Sequence, residues 1–164
     1  MTDRRAHLSG GSIGHWSEKL AELGIELPGV AAPLAAYVPA VRSGSHVFTS
    51  GQLPFIDGAL AATGKVGGDV SPEEAKAHAR TCALNALAAV HALVGIDSVV
   101  RVVKVVGFVA SAEGFTGQPA VVNGASELFG EVFGEAGKHA RSAVGVSELP
   151  LGSPVEVELV VEIG

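Results

Sequence analysis

Residues 71–110 read SPEEAKAHARTCALNALAAVHALVGIDSVVRVVKVVGFVA, and a change of period inside this stretch decides the fold class. The first part has the marks of a helix. Ser71 suits the N-cap, Pro72 the first helical position, and Glu74 completes a capping box. Glu73 and Glu74 favour the positive end of the helix dipole. Leu84, Leu87, Val90, His91 and Val94 mark the face expected to be buried, and Gly95 ends the helix. Valines then crowd the chain from residue 98 to 110, interrupted by Arg101 and Lys104. Such a β-branched run predicts a long, largely buried strand.

Working outward, residues 15–28 (HWSEKLAELGIELP) predict a short amphipathic helix, with Trp16, Leu20 and Leu23 at helical spacing and Gly24 at its C-terminal end. Residues 1–14 are polar and glycine-rich and read as a mobile lead. Residues 36–41 and 46–50 predict a hairpin turned by residues 42–45, with Pro39 near an edge or bulge. Residues 55–70 read as a glycine-rich loop. Residues 114–137 predict a loop and a second long helix, with Val122, Ala125, Phe129, Val132 and Phe133 on its apolar face. Two closing strands follow, at about 142–146 and 155–163. The order β-β-α-β-α-β-β defines an α+β fold with two helices on one face of a mixed sheet. The valine-rich strands leave the other face without a clean polar alternation, so an oligomer packing sheet against sheet is expected.

Composition narrows the function classes. The 164 residues suit a single domain, read as 31–164 behind an N-terminal extension of residues 1–30 that carries the short helix. Charged residues make up only 17% of the chain against 48% hydrophobic, which again favours burial in an assembly. A net charge of −6 argues against non-specific nucleic-acid binding. Cys82, the single cysteine, excludes an intrachain disulfide and reads as a buried thiol. The six histidines show no paired metal spacing. Residues 58–65 (GALAATGK) superficially resemble a phosphate loop, but Val66 stands where a magnesium-binding hydroxyl is needed. No Gly-x-Ser-x-Gly elbow occurs, no signal peptide opens the chain and no membrane-length apolar run follows, so a cytoplasmic location is expected.

One constellation remains. Arg141 stands at the mouth of the strand RSAVGV, and Glu156 and Glu158 alternate with valines on the closing strand. If those strands pair, cation and carboxylate meet at one end of the sheet. They would then form either a structural ion pair or a site in which arginine clamps a carboxylate and glutamate handles a water proton.

At this point the residues carry a resemblance. The segments AAYVPAVRSGSHVFTSGQLP, VVKVVGFVAS, VVN, and ARSAVGVSELPLGSPVEVE, in this order, resemble the RidA family, also called the YjgF or L-PSP endoribonuclease-like family. The resemblance runs from about Pro33 to the C-terminus. It implies a chorismate-mutase-like fold and a homotrimer, with three clefts between subunits. It implies cofactor-independent hydrolysis of 2-imino or enamine acids to 2-oxo acids and ammonia, without a metal. A non-catalytic binding protein for small carboxylates such as 2-oxo acids is the alternative, and an endoribonuclease a third reading.

By the same resemblance, Arg141 holds the substrate carboxylate and Glu156 places the attacking water. Tyr37, Ser50 and Gly51 line the cleft, Asn123 lies near the site, and the backbone of Ala143 contacts ligand or water where many members have cysteine. Three departures stand out. Ala36 replaces a common proline, Gly145 a glutamate of many active members, and the loop at residues 114–119 is longer and richer in glycine.

Overall fold

A computed structural model describes residues 15–30 and 36–164; the expected mobile lead, residues 1–14, lies outside the described residues. The elements in chain order are α1 (Trp16–Glu22), β1 (Ala40–Ser43), β2 (His46–Thr49), β3 (Phe55–Ile56), β4 (Ala59–Leu60), α2 (Pro72–Val94), β5 (Val99–Ala110), α3 (Gln118–Phe133), β6 (Ala140–Val146) and β7 (Val155–Ile163). The main sheet has the order β1-β2-β7-β5-β6. Its pairs are antiparallel except β5 with β6, which run parallel across the crossover through α3. The fold is the α+β arrangement that the order of periods predicts.

Several local expectations shift. The first hairpin strand begins at Ala40, not at residue 36, because Pro39 lacks the N–H a ladder needs and its carbonyl instead accepts from the Ser50 N–H at 2.8 Å. The glycine-rich loop folds locally into the β3–β4 hairpin, turned by Asp57 and Gly58 at φ 50° and 80°. The strand expected from residue 142 starts at Ala140, which takes Arg141 into the ladder opposite Val105.

Ser71 caps α2 as expected, its hydroxyl accepting from the Glu74 N–H at 3.1 Å. The buried face of α2 is lined by Ala75, Ala79, Cys82, Ala83, Ala86, Leu87 and Val90. Leu84 and Val94 pack half-buried against the core, as expected, but His91 is exposed, and its Nδ1 accepts from the Ile96 N–H at 3.0 Å beyond the helix end. Alanines on the inward stripe let α2 approach α3 closely. The contact is tightest at Gly124, where a Cβ would collide with the Lys76 carbonyl. At the rim of the same contact, Lys76 meets Glu127 at 3.1 Å and Arg80 meets Glu131 at 3.2 Å, one helical turn further along.

Together α2 and α3 cover one face of the sheet, where Val47, Val102, Val105, Val109, Val157, Leu159 and Val161 are fully buried. Gly107 makes room on β5 for Val122 of α3. The helix α1 docks at one end of the α3 layer. The Trp16 indole donates to the Val99 carbonyl at 2.7 Å and meets the Phe133 ring edge-on at 5.1 Å. Ser17 binds both carboxylate oxygens of Asp97, which lowers the Asp97 pKa.

No helix among the described residues covers the opposite face. It carries Val41, Phe48 and Val144, all exposed, beside half-buried Glu156, Glu158, Val160 and Glu162. No helix among the described residues is long and apolar enough to cross a membrane.

Two glycines on α3 separate packing from propensity. Gly124→Ala should destabilise the protein by about 2 kcal/mol or more, because the obstacle is backbone that cannot rotate away. Gly130→Ala meets open space on the same helix and should stabilise by roughly 0.5–1 kcal/mol. Urea unfolding of the two variants reads both signs.

Candidate functional site

The residues expected in the site fall into two groups. The first is built where β2 leaves the ladder. Phe48 pairs with Val160, but the next pair is Gln52 with Val157, so Thr49, Ser50 and Gly51 oppose only Glu158 and Leu159. This is a bulge. The Thr49 hydroxyl fills the broken ladder by accepting from the Leu159 N–H at 3.0 Å. The Ser50 hydroxyl donates to the Val38 carbonyl at 2.7 Å, which ties down the segment that presents Tyr37, 61% exposed.

Gly51 lies directly against the Glu156 side chain; a Cβ there would stand 2.8 Å from the carboxyl carbon. Glycine is required at this point to leave the carboxylate its place. Burial pushes the Glu156 pKa above the ordinary carboxylate value, and the neighbouring charge of Glu158 adds to the rise. Ser50, Gly51 and Glu156 thus lie together at the bulge, with Tyr37 exposed on the adjoining segment.

The second group centres on Arg141. Its Nη1 donates to Asn123 Oδ1 at 2.7 Å and to Ser126 Oγ at 3.2 Å, both on α3. Among the described residues, Nε and Nη2 have no acceptor and no carboxylate pairs with the guanidinium. Two steps along the strand, Ala143 packs on the edge of the core. Two further, the space above Gly145 holds the Gln118 carboxamide, fixed by bonds from Nε2 to Ser111 Oγ at 3.1 Å and to the Phe115 carbonyl at 2.8 Å. The first residue of α3 therefore places a polar side chain over the position where the resemblance leads one to expect a glutamate.

The two groups do not meet within one chain, and the expected pairing of the Arg141 and Glu156 strands does not occur. β5 lies between β6 and β7. Arg141 is level with Val105 and Leu159 and shares their helix-covered face, whereas Glu156 is level with Phe108 on the uncovered face. Two surface grooves, of about 530 and 610 Å³, include neither Arg141 nor Glu156 in their linings. Among the described residues, no group of three or more His, Cys, Asp or Glu side chains is placed to hold a metal ion. Cys82 is buried, and burial raises its thiol pKa well above the usual value, the Glu156 charge adding to the effect.

Ser126 and His139 are the neighbours that sequence reasoning missed. The signal was present: Ser126 follows Asn123 by one helical turn, and His139 precedes Arg141 by two residues, on the same side of an extended chain.

Comparison with known proteins places these features in a family. The family model described as "YjgF/chorismate_mutase-like, putative endoribonuclease" matches residues 17–163, and the chain belongs to this family, the RidA family of the motifs above. The chain is 47% identical over 152 residues to protein TCP17 of Trypanosoma cruzi, covering 92% of this chain and 95% of that protein. It is similar to the crystal structure of Atu1372, a protein of unknown function from Agrobacterium tumefaciens, with 44% identity, a TM-score of 0.84, and coverage of 91% and 92% of the two chains. Similarity to Escherichia coli TdcF with bound serine is lower: 26% identity, a TM-score of 0.59, and coverage of 84% and 93%.

The raised Glu156 pKa has a sign in stability. A carboxyl whose folded pKa is raised favours folding while protonated and opposes it as pH rises through the folded pKa. Glu156→Gln removes that effect. Its melting temperature should rise relative to the wild type as pH climbs above the ordinary glutamate pKa of about 4. Melting curves at a series of pH values check this, and a constant difference would contradict it.

Proposed function

We propose that the protein hydrolyses reactive 2-imino or enamine acids to 2-oxo acids and ammonia, in clefts between copies of itself in a homotrimer. The observation that carries this reading is the division of the site. The arginine half (Arg141, Asn123, Ala143) and the carboxylate half (Glu156, Tyr37, Ser50, Gly51) lie on opposite faces of one sheet. A neighbouring copy can set its carboxylate half against the arginine half of the first. The uncovered sheet face, with exposed Val41, Phe48 and Val144, offers an apolar surface for such an assembly.

The chemistry follows from the groups. Arg141 spends both Nη1 hydrogens on Asn123 and Ser126, which leaves the Nε and Nη2 edge to clamp a carboxylate by two parallel bonds. The bound acid then presents its C2 imine carbon to the facing Glu156. A carboxylate of raised pKa is the better base, and Glu156 takes a proton from water as the oxygen adds to C2. That proton passes to the nitrogen of the tetrahedral adduct; Glu156 then takes the adduct's hydroxyl proton and delivers it to the same nitrogen, so that the C–N bond breaks, ammonia leaves and the carbonyl forms. Tyr37, Ser50 and Gly51 wall the cleft on the glutamate side, and the Ala143 backbone contacts ligand or water on the other.

A second reading, carboxylate binding without turnover, is favoured by one observation: the related TdcF has been seen with bound serine, an amino acid with the carboxylate that Arg141 would hold. RNA cleavage, which the family description names, has less support, because the chain carries a net charge of −6.

Purified protein should release ammonia from a freshly generated 2-imino acid faster than buffer does. Arg141→Ala should lower kcat/KM by about 100-fold or more, the scale of an unpaired buried carboxylate. Glu156→Gln should lower kcat by roughly 10²–10⁴-fold, the general-base contribution. Stabilisation by 2-oxo acids without ammonia release would instead support the binding reading. An Arg141→Ala variant of full activity would overturn the assignment.

A further inference from the structure

The hydrogen-bond chain behind Arg141 continues past Asn123. The Gly137 carbonyl can only accept, so His139 Nδ1, 2.6 Å away, carries the hydrogen of that bond. In the neutral ring Nε2 is then an acceptor, and it faces the Ser126 hydroxyl at 2.8 Å. The serine hydrogen is thereby committed to the ring. Its oxygen lone pair is left turned toward Arg141 Nη1, 3.2 Å away. The Phe129 ring holds the imidazole edge-on, with centroids 5.8 Å apart at 90°.

We propose that Ser126 and His139 form a positioning relay that fixes the guanidinium of Arg141 in its carboxylate-binding orientation, a role that rests on the reading of Arg141 as the clamp. Every bond in the relay has one donor and one acceptor, and the direction of each is set by the Gly137 carbonyl at its far end. Asn123 alone would hold one Nη1 hydrogen and leave the guanidinium plane free to turn about that bond. The Ser126 oxygen supplies the second point and defines the plane. A half-buried arginine could satisfy its hydrogens with water, so the relay's effect is preorganisation: the side-chain order that ligand binding needs is in place beforehand. Ser126 and His139 touch no reacting atom and act through Arg141.

The test uses the full chain. Nitrogen-15 spectra of His139 should show Nδ1 protonated and Nε2 bare; an Nε2-protonated ring would overturn the relay. Ser126→Ala should raise KM for the 2-imino acid and Kd for 2-oxobutyrate by about tenfold, the scale of one bond to a charged group, with kcat within about twofold. Ser126→Thr keeps the hydroxyl and should restore both constants. His139→Phe keeps an aromatic ring against Phe129, should weaken binding by a similar factor, and should add little in the Ser126→Ala background. Wild-type constants in Ser126→Ala, or additive losses in the double variant, would overturn the proposal.

Failure of the clamp itself has a different signature: wild-type protein would show neither turnover nor 2-oxobutyrate binding. The relay is then read on Arg141 directly. Its Nη1 hydrogens should exchange slowly with water in the wild type and quickly in Ser126→Ala. Equal exchange in both would overturn the relay as well.

Discussion

From Lys104 to Val109 the strand β5 is paired on both sides, parallel to β6 and antiparallel to β7, and this double pairing governs the rest of the structure. Register along β5 sets which face each neighbour shows. Val105 brings Arg141 to the helix-covered side, and Phe108 brings Glu156 to the other. Shifting either register by one residue would invert every side chain on that strand and bury its polar set under the helices. The valines of β5 and β7 on the covered face, all buried, oppose such a shift. Core packing therefore also holds the two halves of the site apart.

The two halves differ in their electrostatics. On the uncovered face, the bulge at Thr49–Gly51 and the missing Cβ of Gly51 make a niche for the Glu156 carboxylate. Burial and the nearby Glu158 disfavour its charge, which raises its basicity. On the covered side, Arg141 reaches the edge of α3, where neutral acceptors orient it without neutralising it. A cation held by neutral groups and a carboxylate crowded by another carboxylate are both electrostatically incomplete. In the proposed cleft, the carboxylate of a 2-imino acid would complete the first, and its imine nitrogen, cationic when protonated, the second.

Much of this was legible in the sequence, for definite reasons. The helix from Ser71 announced its cap, and the β-branched run of β5 its length. The closing strand 155–163 alternated cleanly enough to be bounded to the residue. The β3–β4 hairpin was hidden because Asp57 and Gly58 read equally well as loop residues. His91 looked like part of the apolar face by spacing, but the helix packs through alanines, which carry little periodic signal. The candidate site residues come from the family motif. Their division between two faces does not, since it depends on β5 standing between β6 and β7, a fact of sheet order that strand alternation does not encode. The place of Gln118 over Gly145 likewise emerges only when helix and strand are packed together, whereas the spacing of Ser126 from Asn123 and of His139 from Arg141 was already in the sequence.

The account stands on the two half-sites being joined by a second copy of the chain, and mixing inactive variants measures that most directly. Arg141→Ala supplies only carboxylate halves and Glu156→Gln only arginine halves. After unfolding together in equal amounts and refolding, a cleft formed between random neighbours holds both intact halves about one time in four. Ammonia release from 2-imino acids should then recover to about a quarter of the wild-type rate, although each variant refolded alone stays inactive. A mixture no more active than the separate variants would contradict the account.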